Sequence, residues 1–378
     1  MTNPLRFLHL ADVHIGASFG YLPPELAQQR RQDIRKAFRD AITLACGETN
    51  DHDKVQLLLI AGDLFDTATP SIADIVFVQE QLLRAKKAGI SIYCTPGNHD
   101  WFEAGNFWET DALPLTHLFS SYGFELVHDH KLNIRIASVG YNRHMASRHV
   151  LDGMTIPSDT TPLIFLFHGS WDHQGLEQLR DYPFTSTELE RIPFVYAGLG
   201  HYHKFTCVID RPDRKAFYPG SIEGLQFTKP ELGKRCVILG EIDADGLVKV
   251  LPVEINNKEL TQLEIDCTFT TYRGIMKQLT LLSAPHRMLQ VTLTGSPSLS
   301  LLAEVSSLEQ EIRDSFCFLQ VKLSFTPVIR DIPQEDTTYV GLFVKKMQEK
   351  IKNATSKDER LLLQKALEFG LIAASKKV

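Results

Sequence analysis

The segment 55–61 is apolar at every position but Gln56 and stops at Gly62-Asp63. A stretch this short and apolar has no face left for water, the pattern of a strand buried on both sides of a covered sheet. Its neighbours extend the theme. Residues 6–10 predict a strand ending at Ala11-Asp12. Residues 24–46 predict a helix with Leu26, Ile34, Ala37, Phe38, Ala41 and Ile42 on one stripe and Pro24 in the first turn. Residues 71–88 predict a second helix, closed by Gly89, and residues 90–95 a third strand. This βαβαβ opening implies a mostly parallel sheet with helices packed on it.

After Phe124 the pattern changes to short strands, predicted at 133–140, 163–167, 194–198, 206–210, 215–218, 235–242 and 247–253, and a second sheet packed on the first is expected. From about Ile255 a small α+β unit follows: strand 260–268, helix 272–282, strand 288–293, helix 298–316, strand 319–325. Residues 338–375 predict amphipathic helices, apolar at Val340, Phe343, Met347 and Ile351, then at Leu361, Leu362, Ala366 and Phe369, with a charged break at 355–359. The expected division is 1–254, 255–332 and 333–378, in line with about 100–200 residues per domain.

Five motifs close predicted strands: Asp12-Val13-His14, Gly62-Asp63-Leu64-Phe65-Asp66, Gly97-Asn98-His99-Asp100, His168-Gly169 and Gly200-His201-Tyr202-His203. Ligands of open α/β sheets gather at the carboxyl ends of strands, so these loops can converge. Asp12, His14, Asp63, Asn98, His168, His201 and His203 offer oxygen and imidazole donors without a thiolate, which suits manganese, iron or zinc. Seven donors exceed the needs of one ion and serve two if a carboxylate bridges; an ion pair ~3.5–4 Å apart can clamp both oxygens of a phosphoryl displacement. Gly62 and Gly97 fit close backbone approach or positive φ. Taken singly, each acid is an ordinary turn or cap residue and each histidine an ordinary structural one. His201 and His203 are better as a pair, because alternate strand residues share a face, and five coincidences at five strand ends favour one metal centre. His9 and the histidines without motif context read as structural; His173, shortly after His168, is a candidate to line the cleft.

The five motifs, in that order, resemble the calcineurin-like metallophosphoesterase superfamily over roughly residues 5–253. Leu8-His9-Leu10-Ala11-Asp12-Val13-His14-Ile15-Gly16 and Gly62-Asp63-Leu64-Phe65-Asp66 look like its DNA-repair nuclease branch, the SbcD-type subunits. Tyr218-Pro219-Gly220-Ser221-Ile222-Glu223-Gly224 and Val340-Gly341-Leu342-Phe343-Val344 look most like bacterial YhaO-type exonucleases. The resemblance implies an α/β (α+β) fold, a four-layer αββα double β-sandwich with a small α+β capping domain and C-terminal helices. It implies one ion on Asp12, His14, Asp63 and His203, and another on Asp63, Asn98, His168 and His201, with Asp63 bridging. His99 would assist the leaving oxygen and Asp100 would orient it. Some relatives carry a further histidine where this chain has Asp66, which puts an accessory catalytic role there in doubt.

The expected function is a two-metal DNA exonuclease or endonuclease of DNA repair, most simply with manganese, in which a water activated by the ions attacks the phosphodiester in line. A metallophosphatase or phosphodiesterase on a small molecule such as a cyclic nucleotide is the first rival. The protein Ser/Thr phosphatases of the superfamily typically continue the second motif with Asp-Arg-Gly and end the third in Glu, unlike Leu64-Phe65-Asp66-Thr67 and Asp100. A non-catalytic scaffold in an ATPase complex is the second rival. Net charge is −6, which excludes a generic electrostatic nucleic-acid binder, so attraction to DNA has to be local. The basic, amphipathic segment around Lys345, Lys346, Lys350 and Lys352 either packs on its own domain or docks an SMC-like ATPase of the SbcC type, or DNA phosphates. A homodimer is compatible with the sequence. The six scattered cysteines read as reduced thiols, no apolar run approaches the ~18 residues of a membrane span, and Met1–Leu10 lacks a secretory layout; a cytoplasmic location is expected.

Overall fold

The computed structural model describes residues 4–49, 51–110, 112–120, 123–157, 159–172, 180–325, 338–356, 358–363, 366–367 and 370. The chain separates into two compact units, Met1–Lys258 and Glu259–Val378. Among the described residues no helix is long and apolar enough to cross a membrane.

The first unit opens as β1 (Leu5–Leu10), α1 (Pro24–Ala45), β2 (Leu57–Ala61), α2 (Ile72–Lys87), β3 (Ser91–Thr95) and β4 (His117–Leu118). Pro24 sits in the first turn of α1, where a missing N–H costs nothing. Ser71 caps α2 by accepting from the Asp74 N–H. Then follow β5 (Phe124–Asp129), β6 (Ile134–Val139), β7 (Leu163–His168), α3 (Ser186–Glu190), β8 (Tyr196–Gly200), β9 (Thr206–Arg211), β10 (Arg214–Tyr218), β11 (Cys236–Ile242) and β12 (Val248–Glu254). The first sheet has the order β12-β11-β1-β2-β3-β4 and the second β5-β6-β7-β8-β10-β9.

The strand predictions at 235–242 and 247–253 hold, but their sheet does not. β11 pairs antiparallel with β1, Leu5 opposite Ile242, so β11 and β12 complete the first sheet and make it mixed. Strand periodicity shows which face is buried; it carries no information on which free edge a strand will join.

Phe7, Leu57 and Leu59 of the first sheet meet Ile136, Ile164, Leu166 and Tyr196 of the second in one buried core. α1 and α2 bury Ile34, Phe38, Ile42, Val78 and Leu82. The other flank of the sandwich is thinner: α3 and its loops bring Tyr182, Phe184, Leu189 and Ile192 against Phe165 and Phe167. Two mixed sheets between helices, with an extra small sheet and C-terminal helices, are the metallophosphoesterase fold that the motifs implied.

The second unit contains a parallel three-stranded sheet, β13 (Glu259–Asp266), β14 (Ala284–Gly295) and β15 (Phe316–Phe325), with α4 (Tyr272–Leu281) and α5 (Leu299–Ile312) sharing its core. α6 (Tyr339–Lys352) lays Val340, Phe343, Val344, Met347 and Ile351 around Leu367. Its apolar stripe is therefore covered within its own unit. Leu361 and Leu362, expected on the stripe of the following helix, are exposed instead, and Leu367 takes that role. Phe369 and residues 371–375 of that predicted helix lie outside the described residues.

Candidate metal centre

β1, β2, β3, β7 and β8 deliver their carboxyl ends to one place, and the loops there are stitched together. The Asp12 N–H donates to the Gly62 carbonyl at 3.1 Å, and the Gly169 N–H to the Gly200 carbonyl at 3.1 Å. Asp12, His14, Asp63 and His201 adopt φ values of 50°, 52°, 51° and 109°, the left-handed region that side chains with a Cβ rarely occupy. Space is as tight as the backbone. A Cβ on Gly62 would stand 2.2 Å from His168 Nδ1, and one on Gly97 2.2 Å from Asp63 Oδ1.

All seven sequence-chosen donors gather. Asp63 Oδ2 lies 3.7 Å from His14 Nε2 and 3.5 Å from His168 Nε2, between the two histidine groups. Asn98 Oδ1 lies 2.8 Å from His168 Nε2 and 3.0 Å from His201 Nδ1. His14 Nε2 and His203 Nε2 are 3.2 Å apart. Asp12, His14 and His203 place ligand atoms within 4.8 Å of one another, as do Asp12, Asp63 and His168. His201 and His203 do not share a strand face as expected: β8 ends at Gly200, so both stand on the following turn.

The outer ring nitrogens decide what the inner ones can do. His14 Nδ1–H donates to Asp66 Oδ1 at 3.0 Å, His203 Nδ1–H to Glu231 Oε1 at 2.5 Å, and His168 Nδ1–H to the Ala61 carbonyl at 2.9 Å. Each Nε2 of the neutral rings then carries a lone pair. With the rings neutral, His14 and His203 would aim lone pairs at one another, and His168 one at the Asn98 oxygen. Acceptor facing acceptor in a buried pocket is repulsive; divalent cations would turn these contacts into ligation. The donor set fits such ions. Without them the cluster keeps protons: burial opposes a charge on His203, but the Glu231 hydrogen bond and the Asp12 charge outweigh it and raise the pKa to about 9. Burial raises the Asp63 carboxyl, yet His168, His14 and His99 pull it down to about 2. Burial and the neighbouring His168 lower His201 to about 3.

Asp100 departs from expectation. It does not orient His99. Its carboxylate accepts the Gly97 and Phe65 N–H groups at 2.8 and 3.1 Å, so it ties the loop after β3 to the loop after β2. Burial, reinforced by Asp63, pushes it up to about 7. The His99 ring is held by the Asp66 carbonyl at 3.2 Å, while its backbone N–H donates to Asp63 Oδ1 at 2.8 Å. Asp66 and Glu231 are the groups that motif reasoning missed as partners of ligand histidines. Asp66 was visible within its motif; Glu231, on the short turn Lys229–Glu231, carried no signal. His9 is buried and bonded to the Tyr196 hydroxyl at 2.9 Å, as a structural histidine should be. His173 lies outside the described residues.

The calcineurin-like phosphoesterase family matches residues 5–205, which takes in all seven donors and more than half of the chain. The chain belongs to that family. It is 31% identical over 232 residues to the metallophosphoesterase YhaO of Bacillus subtilis (strain 168), covering 59% of this chain and 54% of that protein. It is 35% identical over 293 residues to the DNA double-strand break repair protein Mre11 of Archaeoglobus fulgidus, covering 69% and 62%. Against the Mre11 protein of Methanopyrus kandleri the identity is 28% over 287 residues, covering 69% and 59%. The chain thus spans between 54% and 62% of the length of these three relatives.

Proposed function

We propose that the chain is a two-metal DNA phosphodiesterase of DNA repair, with manganese as its simplest metal. The observation that carries the two-metal part is Asp63, whose one carboxylate oxygen stands between His14 and His168. Asp12, His14, Asp63 and His203 would hold one ion; Asp63, Asn98, His168 and His201 the other. When bound, such a pair supplies a lowered water pKa and neutralises phosphoryl oxygens. Likeness to proteins named for double-strand break repair supports DNA as the substrate.

His99 is the group suited to the leaving oxygen. Its ring packs edge-on to His14 with centroids 4.7 Å apart, and the Asp66 carbonyl fixes Nδ1 as a donor. As the imidazolium it keeps that bond and presents an Nε2 proton to the departing oxygen. Asp100 acts one step back, by holding the loop that carries His99.

An SMC-like ATPase of the SbcC type is the proposed protein partner, docked through segment 333–378. With the α6 stripe covered, Tyr339, Leu342, Leu361 and Leu362 are exposed apolar residues among those described in it. The six cysteines are unbridged, in keeping with the cytoplasm.

The test compares metal content with turnover of a labelled oligonucleotide and of bis-p-nitrophenyl phosphate. Asp63→Asn should lose metal and activity together. His99→Ala should keep the metal and lose roughly 10²–10⁴-fold in turnover; loss of metal in that variant would refute the role of His99. Hydrolysis of the small diester without any DNA cleavage would hand the site to a small-molecule phosphodiesterase, and a chain that takes up no manganese, iron or zinc would be a scaffold.

A further inference from the structure

We infer that a cavity beside the His201–His203 turn is a subsite for one nucleotide of an unpaired DNA strand, with Lys204 and Lys229 holding its backbone phosphates and Tyr202 its base. This rests on the DNA reading above and adds strand form and position to it. The cavity measures about 500 Å³ and is lined by Tyr202, His203, Lys204, Thr228, Lys229 and Pro230 among others. It therefore shares a wall, His203, with the candidate metal centre, so a strand whose phosphate lies on the metals can place a neighbouring nucleotide here.

Charge is the second argument. The chain is acidic overall, at −6. Several cations of the first unit are already committed: Arg30 to Asp33 and Glu223, Arg35 to Asp74, Lys215 to Asp210, Lys234 to Glu254. The Lys204 and Lys229 ammonium groups have no ion-pair or hydrogen-bond partner among the described residues, and both residues are exposed. Among the described residues that line the cavity, the one carboxylate, Glu231, is spent on His203. The cavity thus offers two uncompensated ammonium groups, the local attraction that an acidic nuclease requires.

Rigidity is the third. The Tyr202 hydroxyl donates to the Trp171 carbonyl at 2.8 Å, and its ring stacks on Tyr218 with centroids 4.8 Å apart. A pinned aromatic beside paired cations is the pattern of a single-strand subsite, since a base can stack on it without reading sequence. The cavity is of small-ligand size, so it takes one nucleotide and no duplex. A blunt end would have to fray before it could use the subsite.

The experiment measures KM and kcat of the full chain with manganese on a labelled single-stranded oligonucleotide over a range of salt. The Lys204→Ala/Lys229→Ala double variant should raise KM roughly tenfold, and its dependence of log KM on log salt should flatten by about 1.4 for two lost phosphate contacts on a single strand. A double variant with wild-type melting temperature and metal content but unchanged KM and salt slope overturns the subsite and leaves the DNA reading standing. The second arm uses the wild-type chain with an abasic nucleotide scanned through the oligonucleotide. KM should rise roughly tenfold at one position next to the cut, the loss of one stacked base; a flat scan overturns the base contact even if the double variant fails to fold. Hydrolysis of bis-p-nitrophenyl phosphate with no cleavage of any DNA removes the DNA reading and the subsite together.

Discussion

A histidine that is to offer Nε2 to a cation needs Nδ1 held as a donor, and three different acceptors do this: the Asp66 carboxylate, the Glu231 carboxylate and the Ala61 carbonyl. Glu231 is itself buried and steadied by the Ser221 hydroxyl and the Leu225 N–H. Glu231→Gln keeps the shape but removes the charge behind His203, and manganese affinity measured by calorimetric titration should fall about 10–100-fold. The same pair sets a pH dependence. The metal-free His203 holds its proton up to about pH 9, so a cation has to displace it. Binding should therefore tighten as pH rises toward 9 and release a proton, up to tenfold per pH unit from this one group. Titrations in buffers of different ionisation enthalpy would show the proton; a flat profile between pH 6 and 9 would contradict the assignment. The metal-facing residues were legible because their chemical types cluster at strand ends. Glu231 was not: it lies 28 residues beyond His203 on an ordinary Lys-Pro-Glu turn, and only folding brings the two together.

At the scale of elements, α1 does more than cover a sheet. Arg30, fully buried on its inner side, bonds Asp33 at 3.0 Å, Glu223 at 2.8 Å and the Gly224 carbonyl at 3.0 Å. It thereby anchors the segment from which Ser221 and Leu225 reach Glu231. Arg30→Met would leave Glu223 buried without its cation, at a cost of about 3–5 kcal/mol. Thermal melting should record that loss, and manganese affinity should weaken with it because the backing of His203 loosens. Unchanged melting would mean that the helix and the loop are independent. The helix itself was legible from the spacing of Ile34, Ala37, Phe38, Ala41 and Ile42, all of which are buried. Arg30 was not, since a charged residue on that spacing looks like a solvated face until its partners are seen.

For the whole first unit, the metal centre is a clasp. Its donors come from loops of both sheets, so ions bound there add to the stability of the folded chain and not of the unfolded one. At metal concentrations about 100 times the dissociation constant this is worth ~2.7 kcal/mol, and chelation should lower the melting temperature by roughly 5–10 °C, reversibly on return of manganese. An identical melting curve with and without chelator would mean that the clasp does not form. What the sequence determined alone is what is local: alternating elements, strand ends, and donor types that exclude a soft metal. What tertiary structure decided is what acts through space. It returned β11 and β12 to the first sheet, set His201 and His203 on a turn instead of a strand face, spent Asp100 on backbone N–H groups and brought Glu231 to His203. The reason is one of range. A side chain's chemistry and its period along the chain are written in its neighbours, whereas its partner across the fold is chosen by packing between segments far apart in sequence.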